Sequence, residues 1–133
     1  MLGLPPGPLP NCQMNHLQHF LLAARNSWNG LVAIAKSERA FQQELVALIL
    51  GIPLAFIVAA ETWRRVTLIG VLVLLLIVEL LNTAIEKLAD IVTRDHHPGI
   101  GQVKDMGSAA VGLSLLLAAL VWLVALAERV GLI

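Results

Sequence analysis

The sequence predicts an all-α membrane protein with three transmembrane helices and an N-terminal amphipathic helix on the membrane surface. The first observation is the composition: 58% of the 133 residues are hydrophobic and 14% are charged, whereas an average soluble protein has about 25% charged residues. A domain of this size cannot bury so much apolar surface, so lipid must cover part of it. The second observation is that three apolar segments, at about 40–60, 66–89 and 106–127, are each long enough to cross a bilayer.

The charge balance and the single cysteine exclude two classes of function. The formal net charge is zero, so no basic surface is available to neutralise the phosphates of a nucleic acid. Cys12 is the only cysteine, and therefore neither an intrachain disulfide nor a zinc site built from cysteines is expected.

Two segments precede the first span. Residues 1–15 contain four prolines and two glycines, which predicts a flexible tail. Residues 16–36 repeat apolar side chains at steps of three and four, a pattern typical of an amphipathic helix. This helix is too polar to span a bilayer, so we expect it to lie on the membrane with Trp28 at headgroup depth.

The helix of the first span is predicted to start at Ser37 and Glu38. Serine is a good N-cap residue, and an acidic side chain is favourable in the first turn of a helix. Pro53 lies inside this span, where neighbouring helices can compensate for its missing hydrogen bond.

The connections between the spans differ in length. Residues 61–65 form so short a link that the first two spans should be an antiparallel hairpin. Residues 91–105 contain a proline and two glycines, which predicts a loop. The third span, 106–127, begins with small residues, and the spacing of Ser108 and Gly112 would let another helix approach closely.

Polar side chains interrupt the second span and fall on one face of the predicted helix. Steps of 3, 4, 7 and 11 residues stay close to one side of an α-helix, and these steps relate Glu79, Asn82, Thr83, Glu86 and Asp90. A carboxylate in an apolar span costs about 3 kcal/mol, so it usually faces a protein interior or a wet cavity. We therefore interpret Glu79 as functional. The alternatives are that the stripe is a helix–helix contact or a cytosolic extension of the helix.

The distribution of basic residues predicts the orientation. With three spans, one side of the membrane receives Arg25, Lys36, Arg39, Lys87, Arg94 and Lys104, and the other receives Arg64, Arg65 and Arg129. The positive-inside rule then places the N-terminus and the 91–105 loop in the cytoplasm. Most acidic side chains gather at the same surface, with Glu79 deeper in the bilayer.

Carboxylates beside cationic and imidazole groups at a membrane surface suit a divalent metal and a phosphate-bearing ligand. Mg²⁺ prefers one or two carboxylates together with phosphate oxygens and water. Phosphoryl transfer needs a metal, a base for the attacking hydroxyl and donors for the phosphates. A base at lipid depth implies that a lipid carries the attacking hydroxyl.

Three segments resemble the signatures of the prokaryotic diacylglycerol kinase family, a group of small integral-membrane kinases: SERAFQQE at 37–44, VELLNTAIEKLAD at 78–90 and VKDMGSAAV at 103–111. The resemblance extends over about residues 25–127, including SWNGL at 27–31. Family members are homotrimers of three-span subunits that transfer the γ-phosphoryl group of MgATP to the hydroxyl of diacylglycerol. The resemblance therefore implies this activity, ATP as co-substrate, Mg²⁺, a homotrimer and a location in the bacterial inner membrane.

The resemblance also implies roles for individual residues. Glu79 would be the catalytic base, and Glu38 and Glu86 would be the metal ligands. The residues implied to hold the nucleotide are His19, Asn26, Glu38, Glu86, Asp95, His96, His97, Lys104 and Asp105. Those implied to lie near the lipid substrate are Trp28, Glu44, Glu79, Asn82 and Ser108.

Three other functions compete with this interpretation. Undecaprenol kinase belongs to the same family, although the Met-Gly-Ser that follows Asp105 favours the diacylglycerol branch. A proton- or ion-carrying membrane subunit would also use one buried glutamate. A passive membrane scaffold would tolerate Glu79→Gln without loss, because this change keeps volume and polarity.

Overall fold

A computed structural model describes residues 15–92 and 97–133, and all regular structure in these ranges is helical. The helices are α1 (His16–Ser37), α2 (Arg39–Val58), α3 (Thr62–Val92) and α4 (Pro98–Arg129). Each of α2, α3 and α4 is long and apolar enough to cross a membrane, which confirms the predicted all-α class and the three spans. Helices α3 and α4 have 31 and 32 residues. At roughly 47 Å each, they are longer than the hydrocarbon core of about 30 Å.

The described residues belong to two compact units, Met1–Ala33 and Ile34–Ile133. Helix α1 confirms the predicted helix at 16–36, while its position on the membrane stays a prediction. Asn15 and Gln18 cap its start reciprocally, since each side-chain oxygen accepts the backbone N–H of the other, at 2.9 and 3.2 Å. The rest of the predicted tail, residues 1–14, lies outside the described part of the chain.

Glu38 separates α1 from α2, and its backbone is extended (φ −110°, ψ 117°). Glu38 is the N-cap residue of α2 and makes no capping hydrogen bond with its side chain, so the predicted N-cap role of Ser37 is wrong. The physical reason is that Ser37 closes α1 and its hydroxyl donates to Glu38 Oε1 at 3.0 Å. Gln42 Nε2 donates to the carbonyl of Ala35 at 2.9 Å and holds the turn together.

Helices α2 and α3 form the predicted antiparallel hairpin. The link is shorter than the predicted 61–65, because α3 already begins at Thr62. Near this link, Ala55 and Leu68 are buried together, and Trp122 of α4 packs against them. Trp122 Nε1 also donates to the carbonyl of Leu68 at 3.2 Å, which ties α4 to the hairpin.

The link between α3 and α4 is also shorter than predicted. Helix α3 continues to Val92 and α4 begins at Pro98, so the loop predicted for 91–105 is wrong over 91–92 and 98–105. Proline suits the first helical turn because its fixed φ is helical and its missing N–H has no partner there anyway. His97 caps the helix, with Nδ1 accepting the N–H of Gly99 at 3.2 Å. The residues between, 93–96, are outside the described ranges.

Helix α3 is central: it packs along both α2 and α4, whereas α2 and α4 make little contact with each other. Most large apolar side chains of the three long helices remain exposed within the chain. In α4 only 6% of the most apolar window is buried. Such a surface must be covered by lipid or by another protein chain.

Candidate active site

The first residues of the polar stripe lie near the middle of α3 and are buried inside the bundle. Glu79, Asn82 and Thr83 are only 6%, 9% and 6% exposed, although all three side chains are polar. Glu86, two turns further along, is half-buried, and Asp90 is exposed. The stripe therefore leads from a buried carboxylate to the solvent-exposed end of α3, and Glu79 faces protein rather than lipid.

The charges of three other carboxylates interact with that of Glu79. Glu38 and Glu44 of the α2 segment, and Glu86 of α3, are close enough for their charges to act on that of Glu79. Glu44 Oε2 is buried and accepts no hydrogen bond from any described residue. Because an unpaired buried oxygen is unfavourable, this atom marks a position at which a bound hydroxyl or water would donate.

Asn82 connects Glu86 to helix α4. Its Nδ2 donates to Glu86 Oε1 at 3.1 Å, which restricts the orientation of that carboxylate. Its Oδ1 is buried without a partner in the described chain and faces Gly107, where an added Cβ would overlap it. Gly107 therefore provides the close approach of α4 to α3. Within this chain, Ser108 is exposed and Gly112 has no such neighbour.

Glu38 is held by two donors that bind the same oxygen. Ser37 Oγ and Lys87 Nζ lie 3.0 and 2.9 Å from Glu38 Oε1, and Lys87 Nζ also donates to Ser37 Oγ at 3.3 Å. The Lys87 ammonium, together with the Ser37 hydroxyl, holds the pKa of Glu38 below its ordinary value. Glu38 is therefore ionised at neutral pH. Sequence spacing does not reveal this role of Lys87, because Glu38 lies 49 residues earlier in the chain.

A second lysine joins the ends of α3 and α4. Lys104 Nζ forms an ion pair with Asp90 Oδ1 at 2.6 Å, and both side chains are substantially exposed. Such a pair adds about 0–1 kcal/mol to stability, so its main effect is to fix the position of Lys104 beside the stripe. Asp105 and the capping residue His97 are exposed at the same end of α4.

The structure brings together many of the sequence-predicted residues and leaves others apart. Glu38, Glu44, Glu79, Asn82 and Glu86 form one group in the Ile34–Ile133 unit. His19, Asn26 and Trp28 occupy exposed positions of α1 in the other unit. The predicted residues outside the described part of the chain are Asp95 and His96.

Glu38 and Glu86 have the oxygen-donor chemistry that a divalent cation bound to a nucleotide requires. Each carboxylate engages its neighbours through Oε1, which leaves Oε2 available. In the described ranges, no three His, Cys, Asp or Glu side chains form a group that could hold a metal alone. Two carboxylates would therefore need phosphate oxygens and water to complete the shell, which is the usual arrangement for Mg²⁺.

Residues 25–126 match the sequence profile described as prokaryotic diacylglycerol kinase. The chain belongs to the prokaryotic diacylglycerol kinase family. It is similar to the diacylglycerol kinase of Escherichia coli (strain K12), with 40% identity over 109 residues that cover 82% of this chain and 89% of the relative. The diacylglycerol kinase of Pseudomonas aeruginosa is 37% identical over 115 residues, covering 86% and 94%. The undecaprenol kinase of Bacillus subtilis is 30% identical over 97 residues, covering 73% and 79%.

The predicted resemblance is therefore confirmed, and the chain is a membrane kinase that uses ATP as co-substrate.

The end of this kinase opposite to the carboxylate group contains a cavity of about 250 Å³ lined by Arg64, Glu128 and Arg129. Its charges are already engaged: Arg64 pairs with Glu61 and Glu128, and Arg129 Nε donates to a backbone carbonyl.

Proposed function

We propose that the chain transfers the γ-phosphoryl group of ATP to the hydroxyl of diacylglycerol and forms phosphatidic acid. The observation that supports this most is the buried carboxylate of Glu79, surrounded by other acidic groups, inside a helix long and apolar enough to span a bilayer. A membrane-embedded base requires an acceptor that reaches it from the bilayer, and diacylglycerol is such an alcohol. The diacylglycerol kinases among the relatives support the same substrate.

In the proposed reaction, Glu79 accepts the proton of the lipid hydroxyl while the hydroxyl oxygen attacks the γ-phosphorus. The bond between that phosphorus and the bridging oxygen of ADP breaks, and ADP leaves. Glu79 lies about 20 Å from the Val92 end of α3 at 1.5 Å per residue. The polar stripe between these positions provides a route along which polar headgroup atoms and phosphates can meet without crossing lipid tails.

The proposed metal is Mg²⁺, held by Glu38 and Glu86. When bound, it would neutralise the negative charge that develops on the phosphate oxygens during transfer. Asn82 fixes Glu86 through its hydrogen bond. The proposed nucleotide contacts are His19, Asn26, Asp95, His96, His97, Lys104 and Asp105, and the proposed lipid contacts are Trp28, Glu44 and Ser108.

The proposed location is the bacterial inner membrane with the N-terminus in the cytoplasm, based on the distribution of basic residues. A homotrimer is supported by the exposed apolar surface of α4, because lipid-facing helices also use such surfaces to associate. Cross-linking in mild detergent would show a trimer, and a monomer alone would count against it.

The test is transfer of radiolabel from MgATP to lipid by the purified chain in mixed micelles. We expect diacylglycerol to be labelled faster than undecaprenol, and the Glu79→Gln variant to label neither. Undecaprenol kinase is the second candidate, since one relative carries that name, and faster labelling of undecaprenol would establish it. Activity that survives both Glu38→Gln and Glu86→Gln would refute the proposed metal site.

A further inference from the structure

We propose that Lys87 is a positioning residue of the metal site: it binds one oxygen of Glu38 so that the other oxygen faces the cation. This inference rests on the proposed role of Glu38 as a ligand of the metal–nucleotide. It assigns a role to a side chain on α3 that neither transfers the proton nor binds the metal itself.

The contacts around Glu38 form a closed triangle. Lys87 Nζ lies 2.9 Å from Glu38 Oε1 and 3.3 Å from Ser37 Oγ, and Ser37 Oγ lies 3.0 Å from the same Oε1. The hydrogen bonds that described side chains donate to this carboxylate fall on Oε1. The orientation of the carboxylate is therefore fixed by one atom, and Oε2 is left as a single available ligand oxygen.

Glu38 needs such a support more than Glu86 does. It lies outside the helix, at the N-cap position of α2, and makes no capping hydrogen bond. A glutamate that is free to rotate loses much rotamer entropy when it binds a metal. Asn82 restrains Glu86 from the same helix, and Lys87 restrains Glu38 from a different helix. Each proposed ligand thus has Oε1 engaged and Oε2 open.

Lys87 could also weaken metal binding, and in that case its loss would raise the metal affinity rather than lower it. A cation beside a metal ligand repels the metal and competes for the carboxylate. Lys87 is 55% exposed and Glu38 34% exposed, so solvent and salt screen this repulsion, whereas the direct hydrogen bond is retained. The positioning effect should therefore dominate, and loss of Lys87 should weaken metal binding.

The experiment is a titration of the full chain in detergent with Mn²⁺, followed by electron paramagnetic resonance, with a non-hydrolysable ATP analogue present. The Lys87→Met variant should bind Mn²⁺ about tenfold more weakly, as is typical when the partner of a metal ligand is lost. Lys87→Arg should retain most of the affinity, and Ser37→Ala should show a smaller loss. Lys36→Met is the matched control and should leave the affinity for Mn²⁺ unchanged. Unchanged or tighter binding by Lys87→Met would overturn the inference.

A double-mutant cycle tests whether the effect passes through Glu38. In the Glu38→Gln background, Lys87→Met should cause no further loss of Mn²⁺ affinity, and an equal tenfold loss there would overturn the inference. Lipid phosphorylation by Lys87→Met should recover at high Mg²⁺, whereas a purely structural role would lower turnover at every Mg²⁺ concentration. Because Mn²⁺ binding requires no lipid, failure of the proposed lipid substrate would leave this result interpretable.

Discussion

Replacing Gly107 with alanine is expected to disturb the active site from helix α4. The added methyl group would overlap Asn82 Oδ1, and Asn82 cannot move freely because its Nδ2 binds Glu86 at 3.1 Å. Overpacking of a close contact costs about 1–3 kcal/mol. Alanine also favours a helix over glycine by about 1 kcal/mol, which would offset part of that cost.

Gly112→Ala is the matched control for this prediction. An added Cβ at Gly112 meets no atom within 4 Å, so this variant gains the same helix propensity without the overlap. The difference in free energy of unfolding between the two variants therefore isolates the overlap, about 1–3 kcal/mol. Because Gly107→Ala also displaces Asn82 and with it Glu86, we expect kcat for lipid phosphorylation to fall about tenfold, as a 1.4 kcal/mol loss would give.

The measurements are unfolding in detergent, followed by circular dichroism, and phosphorylation of diacylglycerol in mixed micelles. A double-mutant cycle tests whether the overlap is with Asn82. In an Asn82→Ala background, Gly107→Ala should no longer destabilise the protein, because the overlapping oxygen is gone. Equal stability and activity of the Gly107→Ala and Gly112→Ala variants would refute the reasoning. An unchanged effect of Gly107→Ala without Asn82 would assign the overlap to another group.

Three further outcomes are expected. Glu79→Gln should lower lipid phosphorylation by about 10²–10⁴ with unchanged unfolding; retained activity would exclude Glu79 as the base. Lys104→Met should change the free energy of unfolding by no more than about 1 kcal/mol and should raise the KM for ATP. An unchanged KM would mean that the ion pair between Lys104 and Asp90 is purely structural. Lys87 lowers the pKa of Glu38, so the pair stabilises the folded protein. This contribution to the free energy of unfolding is present above pH 4.5 and is lost as the pH falls through the lowered pKa. Acidification from pH 6 to 3 should therefore destabilise the parent more than Lys87→Met, and equal losses would contradict the pairing.

Features that depend on local sequence were predicted, and features that depend on the register between helices were not. The polar stripe from Glu79 to Asp90 follows from the helical period alone, and the structure places its first residues inside the bundle. The sequence around Pro98 predicts a loop, whereas helix α4 begins there. Proline can either end a helix or begin one, and the capping hydrogen bond of His97 favours the start of a helix. The partners of Lys87 and Gly107, which are Glu38 and Asn82, are distant in the sequence, so no spacing along the chain reveals them.

The group around Glu79 is rich in acceptors and poor in donors. Glu44 Oε2 and Asn82 Oδ1 are buried without partners in the described chain, and the Oε2 atoms of Glu38 and Glu86 are left open by contacts that use Oε1. Among the residues that the structure describes, Lys87 forms an ion pair with this group, through the carboxylate of Glu38. A free nucleotide would bring more negative charge to the same place and would be repelled. The group is therefore complementary to a ligand that brings its own cation and a hydroxyl donor, as a metal–nucleotide and a lipid alcohol together do.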